Sequence, residues 1–67
     1  MNVPKLKGKI VENGMTVSEL AEVIQVDRAT LYRRLANDGM DFTISEIIKI
    51  KASLHLDMSD VESIFLS

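Results

Sequence analysis

The segment from Thr16 to Leu35, TVSELAEVIQVDRATLYRRL, constrains this 67-residue chain more than any other stretch. It divides at Gln25-Val26-Asp27 into two amphipathic halves. In the first, Leu20 and Ile24 share a face at i, i+4, while Thr16 and Glu19 have the spacing of a capping box. In the second, Asp27 is placed to cap a helix running to about Ala36, with Leu31 and Leu35 inward at the same spacing. Ala21 is small enough for the second helix to approach the first closely, and Val26 carries the turn into the core. Two short helices across a tight turn are therefore expected over 16–36.

The flanking sequence predicts three more helices. The first starts near Asn2, with Pro4 at an early position where a missing N–H is harmless. Leu6 and Ile10 face inward, and Asn13-Gly14 ends it, Gly14 taking a positive φ. Asn37-Asp38-Gly39 is a strong turn signal. Thr43 and Glu46 open a fourth helix whose expected apolar face is Ile44, Ile47, Ile48 and Leu54. Lys51 falls inside that face, so either it reaches out to water or the helix is rotated. Asp57 or Ser59 caps a last short helix bearing Val61, Ile64 and Phe65. No segment reads as a strand or a repeat. The predicted fold is all-α, a compact bundle of about five short helices in one domain over 1–67.

Composition excludes several function classes. The chain has no cysteine, hence no disulfide framework and no thiolate nucleophile or metal ligand. The single histidine, His55, reads as a helix C-terminal residue. The four methionines read as core or edge filler. No apolar run approaches membrane-spanning length, and residues 1–15 carry Lys5, Lys7 and Lys9 without a signal-type apolar stretch, so a cytoplasmic location is expected. Neither paired carboxylates in a pocket, a nucleophile–base pair nor a glycine-rich phosphate loop is visible, and no enzymatic activity, cofactor, metal or small-molecule ligand is expected.

The net charge of −2 is unevenly spread. Residues 1–35 hold six basic and four acidic side chains, and residues 36–67 hold two basic and six acidic. The paired helices thus lie in the less acidic half, although the whole lacks the basic excess usual for a nucleic-acid partner.

Gly14-Met15-Thr16, Leu20-Ala21, Val26-Asp27, Thr30-Leu31 and Arg33 follow the pattern of the Cro/repressor-type helix-turn-helix family, the XRE family, which the chain resembles over roughly residues 5–65. Phe42 to Ile50, FTISEIIKI, resembles the fourth helix of small Cro-like proteins from phages and prophages of Gram-positive bacteria. The chain departs from the pattern at Val17, where the family often has a phosphate-contacting glutamine, and at Gln25, where it usually has glycine. The resemblance implies a lambda-repressor-like DNA-binding domain whose third helix enters the major groove.

On that basis the base-reading candidates are Arg28, Ala29, Thr30, Tyr32 and Arg33. With Leu31 and Leu35 turned inward, Arg33, Ala29 and Thr30 point most directly away, with Arg28 and Tyr32 on one flank and Arg34 on the other. Arginine can bond guanine O6 and N7 together, and Ala29 or the Thr30 methyl can pack on a thymine methyl. Tyr32 is equally readable as core-edge packing. Expected DNA-backbone contacts are Thr16, Val17 and Ser18 at the start of the second helix, Arg34, Asn37, Thr43 and Lys5. The expected function is a sequence-specific transcriptional regulator binding a double-stranded operator as a homodimer, with the dimer surface in the fourth and fifth helices. Phe65 belongs either to that surface or to the core. The alternative is a protein-interaction module, an antirepressor or modulator using the same fold.

Overall fold

The computed structural model describes residues 1–37 and 42–66. Five helices form: α1 (Val3–Glu12), α2 (Val17–Ile24), α3 (Arg28–Ala36), α4 (Ile44–Ser53) and α5 (Met58–Phe65). There is no strand among the described residues, as the sequence predicts. Of the Asn37-Asp38-Gly39 turn, all but Asn37 lies outside the described residues.

Each helix begins where a side chain can accept an otherwise unpartnered N–H. Asn2 accepts from the Lys5 N–H at 3.1 Å and Asp27 from the Ala29 N–H at 3.1 Å. Thr16 with Glu19, Thr43 with Glu46 and Asp57 with Asp60 form complete capping boxes. The last of these settles the start of α5 on Asp57 rather than Ser59.

Three helices end in the same way. The N–H of Met15 bonds the Ile10 carbonyl, that of Val26 the Ala21 carbonyl and that of Leu56 the Lys51 carbonyl, each closing a 6→1 ring around a left-handed residue. The left-handed residues are Gly14 (φ 69°), Gln25 (φ 60°) and His55 (φ 53°). Only the first is the glycine this geometry favours.

α2 is the centre of the bundle, packing against α1, α3 and α4, while α1 also meets α5. Leu6, Ile10, Leu20, Ile24, Leu31, Ile50, Leu54 and Ile64 are the largest fully buried side chains. Each contributes about 1.5–3 kcal/mol of burial, which a chain this short needs. Two backbone-directed bonds close the ends. The Asn2 N–H reaches the Ile64 carbonyl at 2.7 Å, and the Asn13 side-chain amide reaches the Leu54 carbonyl at 3.1 Å.

α4 corrects the sequence reading. Ile44 and Ile48, expected inside, are 78% and 61% exposed. The buried residues of this region are Ile50 and Leu54, with Ile47 and Lys51 half-buried at the margins. In this rotation Glu46 turns toward α3, as described below, and Ile50 rather than Ile48 is buried. Met58, expected as filler, is also exposed, at 61%. Phe65 packs on the core, its ring edge-to-face with Phe42 at 6.2 Å.

Candidate nucleic-acid interface

α2 and α3 are joined by only Gln25, Val26 and Asp27. Gln25 takes the left-handed conformation that reverses the chain (φ 60°, ψ 42°), and its side-chain carbonyl accepts from Lys49 Nζ at 3.3 Å. Val26 packs half-buried against the core, and Asp27 caps α3. α3 is thereby held on α2 by Leu31 and Leu35 beneath and by the turn at its start.

The face of α3 turned to solvent carries Arg28, Ala29, Tyr32, Arg33 and Ala36. Tyr32 is 51% exposed, which favours the surface over the core-edge reading. Thr30 is a correction: it is half-buried, not among the residues pointing most directly away. The exposed arc is centred nearer Tyr32 and Ala36 than the sequence suggests. Ala36 was missed, although its i, i+4 spacing from Tyr32 places it on the same arc. Neither Arg28 nor Arg33 makes an ion pair or side-chain hydrogen bond among the described residues.

Arg34, read from sequence as a phosphate contact, is engaged within the fold. Its guanidinium donates to Glu46 Oε1 at 2.7 Å and lies 5.5 Å from the centre of the Phe42 ring. The two paired side chains are only 16% and 15% exposed, and Arg34 Nε is buried without a hydrogen-bond partner among the described residues. The Arg34 guanidinium holds the Glu46 carboxyl below the usual carboxylate range, with the Thr43 backbone N–H acting in the same direction and burial opposing both. The sequence pattern identified Glu46 as a capping residue but carried no sign of its second partner.

The remaining predicted backbone contacts are dispersed. Thr16 is exposed, and its hydroxyl oxygen accepts the Glu19 N–H. Ser18 is half-buried, and Val17 packs its side chain against the core, leaving only its N–H for a ligand. Asn37 is exposed at the end of α3 and Thr43 at the start of α4. Lys5 stands apart on α1, where it and Lys9 lie 3.9 and 3.7 Å from Asp60. Backbone bonding from Asp57 lowers the Asp60 pKa most; desolvation opposes it, and the charges of Lys9 and then Lys5 lower it further.

A shallow cleft of about 270 Å³ opens where α2 meets the start of α3, lined by Ser18, Ala21, Glu22, Val26, Asp27 and Arg28. The exposed α2–α3 surface is thus a small apolar and aromatic strip with acids at its edge and two arginines, Arg28 and Arg33, that have no partner among the described residues. Among the described residues there is no cluster of side chains able to hold a metal, and no helix is long and apolar enough to cross a membrane. Comparison with family models, with curated proteins and with solved structures found no match to this chain.

Proposed function

We propose that this protein is a small sequence-specific DNA-binding transcriptional regulator of the Cro/repressor type. The observation that carries the reading is the pair of unengaged arginines, Arg28 and Arg33, on the solvent face of a helix held across a three-residue turn. Intramolecular partners neutralise Arg34, Lys5 and Lys9, but these two have none among the described residues. α3 enters the major groove, Arg28 in its first turn reaches base edges, and Arg33 reads or braces further along. Tyr32 and Ala29 supply apolar contact between them. The N–H groups of Val17 and Ser18, with the Thr16 hydroxyl, meet a phosphate at the start of α2. Arg34 acts instead as an internal brace. A single helix of this kind contacts few base pairs, so two copies bind an inverted repeat with half-sites about 34 Å apart.

Selection of binding sites from random DNA at two salt concentrations tests this reading. An inverted repeat should emerge, with affinity falling by roughly 0.9 log units per phosphate contact for each tenfold rise in salt. Recovery of no enriched sequence at low salt would remove the function.

A second reading is favoured by Glu22 and Asp27, which line the cleft beside Arg28. A basic segment of another regulator, rather than DNA, would then occupy this face, making the protein an antirepressor or modulator. Retention of such a partner, with no retention of DNA at low salt, would select it.

A further inference from the structure

Of the three asparagines, Asn2, Asn13 and Asn37, only Asn13 is followed by glycine. An asparagine side chain is an amide that its own backbone can attack. The nitrogen of the next residue reaches the side-chain carbonyl carbon, and a side chain on that residue crowds the approach. Gly14 has none, and its backbone is the freest to rotate. Asn13 ends α1, and Gly14 takes the left-handed turn (φ 69°) that follows.

In the fold this dipeptide is held. The Asn13 side-chain amide donates to the Lys9 carbonyl at 2.8 Å and to the Leu54 carbonyl at 3.1 Å, so it closes the end of α1 and ties it to the end of α4. The Gly14 N–H is engaged with the Val11 carbonyl at 2.9 Å. Attack also needs the Asn13 Cβ and the Gly14 nitrogen eclipsed about the Asn13 Cα–C bond. The Asn13 ψ of 8° instead sets that nitrogen close to eclipsing the Asn13 backbone nitrogen.

We infer that Asn13 is a self-modification site, a deamidation centre that the folded corner of α1 and α4 holds shut and that opening of this corner releases. The Gly14 amide nitrogen, having lost its proton to hydroxide, bonds to Asn13 Cγ. The Cγ–Nδ2 bond breaks, and Nδ2 leaves as ammonia with a proton from water. The resulting succinimide adds water at one of its carbonyls. Opening at Cγ gives an aspartate, and opening at the backbone carbonyl gives a β-linked aspartate. Nothing is oxidised or reduced, and water is the co-reactant.

The product does not fit the corner. An ionised carboxylate donates no hydrogen bond, so it faces the Lys9 and Leu54 carbonyls as acceptor against acceptor. The β-linked form also lengthens the backbone inside the ring that the Met15 N–H closes on the Ile10 carbonyl. A chain that has opened is thereby marked, and it closes less well than before. This chemistry is independent of what α3 binds.

Mass spectrometry of the full chain tests the site. The chain is held at mildly alkaline pH, folded in buffer or unfolded in guanidinium chloride, and then digested at acidic pH. Unfolded, amide-to-acid exchange at Asn13 should outpace that at Asn2 and Asn37, with normal and β-linked product peptides of equal mass. Folded, with helical circular dichroism retained, exchange at Asn13 should be slower by about tenfold or more, because both side-chain bonds must open first. Asn13→Gln, whose longer side chain closes a larger and less readily formed ring, should remove the fast exchange from the unfolded chain. Asn13→Asp, which installs the carboxylate without the reaction, should melt below the parent. Unfolded exchange at Asn13 no faster than at the other asparagines would remove the site. Equal rates in the folded and unfolded chain would show that the corner does not hold it shut, and an unchanged melting temperature for Asn13→Asp would show that the product fits. The rate comparison uses the parent chain and stands whether or not Asn13→Asp folds.

Discussion

Arg34 and Glu46 meet at 2.7 Å across 12 residues of chain, and the Oε1 that receives the guanidinium also accepts the Thr43 N–H at 2.9 Å. One carboxylate oxygen therefore caps α4 and ties it to α3. Beyond the pair, Phe42 lies under the guanidinium and meets Phe65 edge-to-face, which extends the link to α5.

Removing either partner strands the other in a largely buried place. We expect Arg34→Ala and Glu46→Ala each to cost about 1–3 kcal/mol, Glu46→Ala being the larger because the capping box goes with it. A double-mutant cycle by urea denaturation should return a coupling near 1 kcal/mol or more. Additive effects would mean that the contact contributes nothing to stability.

Among the described residues the two acids with lowered pKa are capping-box residues that also face cations: Glu46 is held down first by Arg34, and Asp60 first by the Asp57 N–H. A carboxylate more acidic folded than unfolded stabilises the fold at neutral pH. That contribution begins to fade as pH drops toward the ordinary values of 4.5 and 3.8 and is lost below the folded values. Melting temperature should be level from pH 7 to about 5.5 and then fall progressively on acidification. The Glu46→Gln variant should show a shallower acid slope, and an unchanged slope would point to other groups.

Gln25 adopts left-handed backbone at a cost of about 1–2 kcal/mol relative to a right-handed conformation. Glycine removes that strain but loses more freedom on folding and gives up the exposed Lys49 contact. Gln25→Gly should therefore raise stability by up to about 1 kcal/mol. The opposite change, Gly14→Ala, should lower it by about 1–2 kcal/mol through backbone strain alone, since nothing lies within 4 Å of an added Cβ. Differential scanning calorimetry of the two variants checks the signs.

The rotation of α4 separates residues of one type. Ile50 is fully buried and Ile44 is 78% exposed. Ile50→Ala should cost about 2–5 kcal/mol, enough to threaten folding in a domain of this size. Ile44→Ala at low protein concentration should stay within about 0.5 kcal/mol. Comparable losses at both positions would contradict the observed rotation.

For the proposed function, Arg28→Ala should weaken operator binding by about 1–3 kcal/mol and relax one base position. Lys5→Ala should change it far less, because Lys5 lies on α1 beside Asp60. Gel-shift titrations on a selected site discriminate the two.

Helix starts and stops were legible because they are local chemistry. Thr16, Asp27, Thr43 and Asp57 bond to N–H groups two or three residues away, and Gly14 needs no neighbour to turn left-handed. The core of α1, α2 and α3 was legible for the same reason, since a strict i, i+4 pair of leucine or isoleucine leaves one choice of inward face. α4 offered four isoleucines around much of its circumference, so periodicity could not choose among them.

The sequence by itself thus determined five helices, their caps and the α2–α3 turn, all set by interactions within a few residues. Only the tertiary structure decided which arginines are free and which isoleucines are buried. Arg33 and Arg34 are adjacent in sequence and alike in chemistry. Arg34 is neutralised because Glu46, on another helix, lies within hydrogen-bond distance, in the same rotation of α4 that has Ile50 inward and Ile48 out. A side chain's partner across space depends on how whole helices are rotated, and the packing of all five together sets that rotation.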